Sequence, residues 1–313
     1  MADLKLFQIA DAVVTELPVS ALQVEKSLQS LFEANLEAIL GVRFLATEYT
    51  TGAVHGGRID TLGIDENGNP VIIEYKRSIS ENVINQGLFY LDWLMDHQKE
   101  FQWLVMSRLG QEQAEKVEWS APRLLCIAND FTRYDEHAVK QIARNIELLR
   151  YRRFDGGMLA VELVHAATSP RRTLAVSIQP ATNSASDQSA SDPYLSHRID
   201  YRIGNASKEL TEVWDAACTI IQSFGDDIQL NVVKSYYAFK KIKNFVCLEV
   251  YPSARTVVAY LKLNPESVAL EKGFTRDVRA IGHFGTGDLE VVMRTLEDVR
   301  KAEPLFARAY EEG

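Results

Sequence analysis

Residues 56–76 contain two strand-like segments separated by a short turn, and this arrangement restricts the local fold more than any other part of the chain. Residues 71–75 are mostly apolar and β-branched, which is typical of a packed strand. Residues 58–64 form the preceding segment, and residues 65–70, with the sequence DENGNP, supply the side chains that favour a turn. The sequence therefore predicts a β-hairpin.

Three polar side chains of this hairpin can converge on one face of the sheet. Glu74 and Lys76 stand two positions apart, so a strand projects both from one face and projects Tyr75 from the other. A loop with an odd number of residues, five or seven, would place Asp60 beside Glu74 or Lys76 on that face, whereas an even-numbered loop would place it on the opposite face. Neighbouring carboxylates at Asp60 and Glu74 would repel each other and need a counter-cation, either Lys76 or a divalent metal.

Paired carboxylates beside an amine are suited to the hydrolysis of a phosphodiester. Hard cations such as Mg²⁺ take oxygen ligands, commonly one or two carboxylates together with waters and substrate phosphate oxygens. Such a metal neutralises charge on the phosphate and lowers the pKa of a water molecule, and a nearby ammonium can orient that water or share its proton. The alternative is an exposed strand face on which Glu74 and Lys76 form a surface ion pair, because the spacing alone occurs about once by chance in a chain of this size.

The ordered set Arg58-Ile59-Asp60, Ile73-Glu74-Tyr75-Lys76 and Gln86…Tyr90 resembles the PD-(D/E)xK nuclease superfamily. The similarity is closest to a branch of bacterial and archaeal enzymes that cut branched, mismatched or single-stranded DNA, and it spans roughly residues 22–104, with looser similarity to about residue 164. It implies an α/β fold with a restriction-endonuclease-like mixed sheet flanked by helices, and a metal-dependent endonuclease that acts on DNA more readily than on RNA, in phage defence or repair. The implied catalytic residues are Asp60, Glu74, Lys76, Glu25 and Gln86, and the implied Mg²⁺ or Mn²⁺ lies at Asp60, Glu74 and Tyr75.

Residues 21–40 are predicted to form the first helix, and Glu25 is the candidate for its contribution to the site. The apolar stripe of this helix consists of Leu28, Phe32, Leu36 and Ile39. Glu25 falls inside the stripe, whereas Glu33 and Glu37 fall towards its polar flank. A buried glutamate needs a partner or a cation, so Glu25 is predicted to be an accessory acid, as the resemblance also implies. The alternative is a glutamate that only complements the positive end of the helix dipole.

Four more side chains around the hairpin are candidates for contact with nucleic acid or its phosphates. Gln86 and Tyr90 share one face of a helix predicted over residues 78–97. Gln86 is predicted to hold a phosphate oxygen or a metal-bound water. Tyr90 either positions the chain or contacts the nucleic-acid backbone, or else it packs in the core. Arg77 either clamps phosphate or faces water. His55, in a glycine-containing loop, either touches the scissile phosphate or is only solvated.

The chain is predicted to contain a nuclease-like domain at residues 1–167, a flexible linker at 168–204 and an α+β domain at 205–313. Within the first domain, apolar strands are predicted at residues 101–106 and 123–128. The linker contains a stretch of Asn, Ser, Ala, Asp and Gln with almost nothing to bury. The last domain resembles a small module of unassigned function found at the C-terminus of several predicted nucleases, with a helix at 207–223, alternating strands, and helices near 267–272 and 287–302.

Lys240, Lys241 and Lys243 cluster around a predicted hairpin of this last domain with aromatic residues between them, which suits a nucleic-acid surface. The competing interpretation is a hairpin whose aromatic side chains pack inward while its lysines keep an edge strand soluble. The rest of the domain would also suit a homodimer or the binding of a partner protein.

Composition sets bounds on these predictions. A chain of 313 residues with 46% apolar and 25% charged residues is typical of two globular domains. No secretory pattern and no run of about 18 apolar residues is present, which predicts a cytoplasmic protein without membrane contact. The net charge of −9, with 16 basic and 24 acidic residues in positions 1–168, predicts weak binding to naked duplex DNA. A local basic groove, a dimer or a presented substrate would overcome this charge. The alternative function is a catalytically inactive nucleic-acid-binding or regulatory protein whose C-terminal module binds a partner.

Overall fold

A computed structural model describes residues 4–20, 25–76, 83–167 and 195–313 of the chain. The chain divides into two compact units, Met1–Ser169 and Pro170–Gly313, called here the first and second unit. None of the helices in the described ranges combines the length and the apolar surface that crossing a membrane requires.

The first unit is built on a mixed β-sheet. A separate hairpin of β1 (Leu6–Ala10) and β2 (Val13–Leu17) precedes it. In the described residues the sheet consists of β3 (Val42–Thr50), β4 (Arg58–Asp65), β5 (Pro70–Lys76), β6 (Arg123–Ala128), β7 (Asn145–Phe154) and β8 (Met158–Ala167), side by side in chain order. The β5–β6 and β6–β7 pairs are parallel and the other pairs are antiparallel. The parallel pairs require crossover connections, which helices supply.

Helices cover both faces of this sheet, so the predicted α/β class with a flanked mixed sheet is confirmed. The helices are α1 (Glu25–Glu33), α2 (Leu36–Leu40), α3 (Gly52–His55), α4 (Val83–Asp96), α5 (Gln98–Leu109), α6 (Gln111–Glu115) and α7 (Arg133–Lys140). On one face Phe32 of α1 packs edge-on against Tyr75, with ring centroids 5.9 Å apart. On the other face α4 and α5 bury their apolar side chains against residues such as Ile72 and Leu124.

Two predicted elements of the first unit differ from the structure. The helix predicted over residues 21–40 is interrupted between α1 and α2, where Asn35 donates a hydrogen bond from its side chain to the carbonyl of Leu31. The strand predicted at residues 101–106 is wrong, because these residues belong to α5. The buried residues of α5 are Phe101, Leu104 and Val105, spaced by three and four positions as on one helical face.

A buried ion network fixes the turn between β4 and β5. Arg123 donates from Nε and Nη2 to both carboxylate oxygens of Glu147, at 2.8 and 2.9 Å, and from Nη1 to Asp65 at 3.0 Å. All three side chains are buried. The other oxygen of Asp65 accepts hydrogen bonds from the backbone amides of Asn67 and Asn69 at 2.9 and 2.8 Å. The network thus joins the turn to two more strands of the sheet and sets the hairpin register.

The second unit is an antiparallel sheet with helices on one face, which confirms the predicted α+β region. Its described elements are α8 (Ile199–Gly204), α9 (Lys208–Gln222), β9 (Gln229–Val232), β10 (Tyr237–Lys240), β11 (Asn244–Tyr251), β12 (Thr256–Leu261), β13 (Thr275–Asp277), β14 (Leu289–Met293) and α10 (Leu296–Glu312). The strand order is β13-β14-β12-β11-β10-β9. The helix predicted near residues 287–302 is therefore replaced by β14 and the first part of α10.

The segment predicted as a linker ends earlier than residue 204. Residues 168–194 of that segment lie outside the described residues. Ile199–Gly204 is a helix, and Ile199 is buried in the core of the second unit. The Nη1 atom of Arg202 donates to Glu249 at 3.1 Å, and both side chains are buried. Packed structure of the second unit therefore begins by residue 199, before the predicted boundary at 205.

Candidate active site

The hairpin register places Asp60 opposite Glu74 on one face of the sheet. The ladder between β4 and β5 ends at the pair Thr61↔Ile73, and one step further along both strands reaches Asp60 and Glu74. The last ladder pair before the turn is Ile64↔Pro70, so the loop holds five residues, 65–69. Within the loop the amide of Asp65 donates to the carbonyl of Asn69, at 2.9 Å. The condition under which the two carboxyl groups share a face is therefore met.

The two carboxyl groups are bound to the backbone of the facing strand. Glu74 accepts a hydrogen bond through Oε1 from the amide of Asp60 at 3.2 Å, and Asp60 accepts one through Oδ2 from the amide of Tyr75 at 3.1 Å. These side-chain contacts take the place of ladder hydrogen bonds beyond Thr61. The two carboxyl groups consequently sit between the ends of β4 and β5, with Glu74 fully buried and Asp60 half-buried.

Lys76 and Tyr75 follow the strand alternation that the sequence predicts. Lys76, the last residue of β5, lies two positions beyond Glu74 and is half-buried. The ring of Tyr75 is buried on the opposite face, where desolvation raises the pKa of its hydroxyl group. Tyr75 can therefore contribute to the site only through its peptide group, and not through its side chain.

Tyr90 and Gln86 lie beside the start of β4. The Tyr90 hydroxyl accepts hydrogen bonds from the backbone amide of Arg58 at 3.1 Å and from Nε2 of Gln86 at 3.2 Å. The Tyr90 ring is only 5% exposed, and a Cβ atom at Gly57 would lie 2.4 Å from it, so glycine permits this approach. The geometry favours packing and positioning of the chain, because the ring of Tyr90 is buried and its hydroxyl holds the strand two residues before Asp60. Gln86 is half-buried.

His55 is part of an aromatic cluster next to α4. It lies in the short helix α3, with its ring centroid 5.2 Å from that of Phe89 and 5.9 Å from that of His97. His97 in turn stacks on Trp93 with centroids 4.7 Å apart. The predicted contact of His55 with a phosphate stays a prediction.

Two side chains of α1 contact the site strands, and the sequence predicted neither role. Nε2 of Gln29 donates to the carbonyl of Asp60 at 2.7 Å and also approaches Glu33 at 2.9 Å. Oε1 of Glu33 accepts a hydrogen bond from Thr61 at 2.6 Å. The helical projection had placed Glu33 on the polar flank. The available signal was that both residues adjoin the apolar stripe, where a polar side chain can reach the sheet.

Two predicted site residues lie outside what the structure describes. Glu25 begins α1, but its side chain is not among the described groups. Arg77 follows β5 in the range 77–82, which lies outside the described residues. Their roles as an accessory acid and a phosphate clamp stay predictions.

The nucleic-acid surface predicted at the lysine hairpin of the second unit is wrong for at least one of its members. Lys240 is only 4% exposed, so a phosphate cannot reach its ammonium group. The competing interpretation of an edge strand does not hold either, because β10 has neighbours on both sides, β9 and β11. Lys241 donates to the carbonyl of Tyr310, and its Nζ lies 4.4 Å above the Tyr310 ring. Lys243 is half-buried.

The donor set between β4 and β5 fits a hard divalent cation. Two carboxylates and the carbonyl oxygen of Tyr75 offer oxygen donors, which Mg²⁺ prefers. In the described part of the chain, no group of three or more His, Cys, Asp and Glu side chains is arranged to hold a metal ion. A cation here would take two protein carboxylates and complete its shell with water and substrate oxygens, as Mg²⁺ commonly does.

Comparisons with known proteins find similarity over the whole chain and over parts of it. Residues 200–313 match the family described as "Domain of unknown function (DUF5655)". An uncharacterized protein of Haemophilus influenzae is 24% identical over 313 residues, covering 99% of this chain and 100% of that protein. Two solved structures are similar to 42% of this chain: an EndoMS–dsDNA2 complex, at 21% identity and a TM-score of 0.25, and a repair endonuclease from Pyrococcus abyssi, at 19% identity and a TM-score of 0.24. The match spans about half of each, 47% and 50% of their lengths.

Proposed function

We propose that the first unit is a metal-dependent nuclease of the PD-(D/E)xK type that hydrolyses phosphodiester bonds, in DNA more readily than in RNA, in repair or phage defence. The observation that carries the proposal is the position of Asp60 and Glu74. Their carboxyl groups lie on one face, each within hydrogen-bond distance of the other strand's backbone. Two acids held this closely at the open end of a hairpin are suited to binding a cation.

Each residue of the proposed site has a distinct role. Asp60, Glu74 and the carbonyl group of Tyr75 hold Mg²⁺ or Mn²⁺. Such a cation, when bound, neutralises charge on the phosphate and lowers the pKa of the attacking water. Lys76, on the same strand face as Glu74, orients that water or accepts its proton, and Gln86 binds a phosphate oxygen.

Two further residues keep the acids in place. Gln29 holds the carbonyl of Asp60 from α1, and Tyr90 holds the amide of Arg58 from α4. These contacts fix β4 from α1 and from α4, at Asp60 and Arg58, which lie one and three positions beyond the end of its ladder with β5. Positional errors of an ångström reduce catalysis strongly, so both are expected to act as positioning residues.

A cleavage assay tests the proposal. Duplex, single-stranded and branched DNA, and RNA, are incubated with Mg²⁺ and the wild-type protein or the variants Asp60→Asn, Glu74→Gln and Lys76→Met. The rate should fall by about 100-fold or more in each variant, and chelation with EDTA should abolish cleavage.

Glu112→Gln is the matched control, because it removes an exposed carboxylate from α6. Glu112 pairs with Lys116, which directly follows the C-terminal end of that helix. This variant should cut at the wild-type rate. Equal cutting by wild type and all three site variants would show a contaminating nuclease and contradict the proposal. Binding of nucleic acid without cutting of any substrate would instead favour an inactive nucleic-acid-binding protein.

A further inference from the structure

Three charged side chains at the margin of the candidate active site form one group, called here the rim cluster: Lys26, Glu48 and Arg58. Glu48 receives the ammonium group of Lys26 on Oε1 at 2.5 Å and the Nη1 atom of Arg58 on Oε2 at 3.1 Å. The two cationic side chains are 54% and 65% exposed. A single carboxylate therefore holds two cations that remain accessible to solvent.

The rim cluster borders Asp60 from two directions. The β3–β4 pairs Thr47↔Thr61 and Tyr49↔Ile59 place Glu48 opposite Asp60 on the neighbouring strand. Arg58 precedes Asp60 by two positions on β4, so the strand alternation directs both to one face.

Lys26 is linked to the same point through α1. Its Nζ donates to Oε1 of Gln29 at 3.2 Å, and the amide nitrogen of Gln29 donates to the carbonyl of Asp60 at 2.7 Å. Lys26 is therefore connected through Gln29 to the backbone of Asp60, and Arg58 lies two positions from Asp60 on β4.

The backbone of Glu48 is unusual for a strand residue. Its φ of 47° lies in the left-handed region, which non-glycine residues adopt at a cost in energy. The pairing of β3 with β4 includes Thr47 and Tyr49 but not Glu48, whose side chain reaches the two cations from this position. The hydrogen bond from Lys26, followed by the charge of Arg58, lowers the pKa of Glu48 and keeps it ionised.

We propose that Lys26 and Arg58 form a binding site for a backbone phosphate next to the bond that is cut, and that Glu48 occupies this site until nucleic acid displaces it. The inference rests on the proposed nuclease function. A carboxylate and a phosphate accept the same hydrogen bonds from guanidinium and ammonium groups. Exposed ion pairs contribute little stability, so a phosphate can replace Glu48 at small cost.

The net charge of the chain explains why replacement of Glu48 by a phosphate would be useful. With a net charge of −9, the protein attracts nucleic acid poorly as a whole, and two cations beside Asp60 provide a local site for phosphate. Glu48 reduces the affinity of that site for other anions and is displaced when a polyanionic strand is aligned with the site.

Binding measured without cleavage tests the inference. Fluorescence anisotropy of a short labelled single-stranded DNA, in EDTA and at several KCl concentrations, is compared for wild type, Glu48→Gln and Glu112→Gln. Glu112 also pairs with a lysine, Lys116, at 2.6 Å, so the control removes the same charge from a comparable ion pair. Glu48→Gln should bind about fivefold more tightly than wild type, whereas Glu112→Gln should not.

The double variant Lys26→Gln/Arg58→Gln provides the opposite change. It should bind more weakly, and the slope of log affinity against log salt should become shallower by about 0.7, the value for one phosphate contact on a single strand. Wild-type melting temperatures in all variants exclude a general loss of structure. The inference is overturned if Glu48→Gln binds no tighter than Glu112→Gln, or if the double variant keeps the wild-type affinity and slope.

The two proposals fail separately, because this assay contains no metal. If the predicted binding changes occur but Mg²⁺ supports no cleavage, only the catalytic proposal is lost. If the wild type cleaves DNA but the two rim variants bind like wild type, only the phosphate site is lost.

Discussion

The two ends of the β4–β5 hairpin use acidic side chains in different ways. At the turn, Asp65 and Glu147 are joined by the guanidinium group of Arg123, and all three side chains are buried. At the open end, Asp60 and Glu74 accept hydrogen bonds from backbone amides of the facing strand. The same pair of strands therefore carries acids joined by a guanidinium group at one end and acids held by backbone amides at the other.

This difference separates stability from chemistry within one hairpin. A guanidinium group supplies a full positive charge and a fixed geometry, so the acids around it serve the register of the strands. A backbone amide supplies only part of a charge, so it can hold a carboxylate in place without neutralising it. Removal of a charged side chain at the turn end is expected to destabilise the fold. Removal of a charge at the open end is expected to leave the fold stable but to abolish activity.

The largest effect is expected at the turn end. Arg123→Met leaves Asp65 and Glu147 buried without their cation, and it should lower the free energy of unfolding by about 3–5 kcal/mol. Urea denaturation measures this change. Arg123→Lys keeps the charge but not the two-pronged contact with Glu147, so its free energy of unfolding should fall by less than that of Arg123→Met. Equal stability of wild type and Arg123→Met would show that the network does not hold the hairpin.

A smaller effect is expected where α4 meets the open end. Tyr90→Phe removes the hydroxyl that accepts hydrogen bonds from Arg58 and Gln86, and it should cost about 1–2 kcal/mol in unfolding free energy. Under the proposed function, its cleavage rate should fall by less than that of Asp60→Asn. Phe89→Leu, a change at an exposed neighbouring ring, is the control for the helix itself. A Tyr90→Phe variant with wild-type stability would remove Tyr90 from the positioning role.

The sequence indicates the hairpin but not its register, and the reason is physical. Alternation and turn residues are local signals, so the two strands and the face of Glu74 and Lys76 follow from them. Whether Asp60 shares that face depends on which two residues form the last pair of the β4–β5 ladder before the turn. That point is set by Asp65, whose carboxylate is held by Arg123 from a distant part of the chain. Local patterns contain no information on this contact.

Other errors have the same origin in tertiary packing. Residues 101–106 form an apolar run too short to distinguish a strand from a helix, and contacts of α5 with the sheet decide for the helix. Lys240 was predicted to contact nucleic acid, with a soluble edge strand as the alternative, but it is buried and β10 lies between β9 and β11. Gln29 was missed because a helical projection gives the direction of a side chain but not the strand that it meets.

The smallest change in stability is expected at the open end itself. Asp60→Asn and Glu74→Gln keep an oxygen that accepts the facing amide and remove the repulsion between two negative charges. The free energy of unfolding should stay unchanged or rise by up to about 1 kcal/mol, while cleavage is lost. Urea denaturation in EDTA measures this without any contribution from a bound cation.

Asp65→Asn is the matched control, because it makes the same chemical change at the other end of the same hairpin. It removes the buried ion pair between Asp65 and Arg123 and should cost about 2 kcal/mol or more. If Asp60→Asn destabilises the protein as much as Asp65→Asn does, the open-end acids are structural like those of the turn. The two ends would then not differ in kind, and the main support for a cation site at Asp60 and Glu74 would be lost.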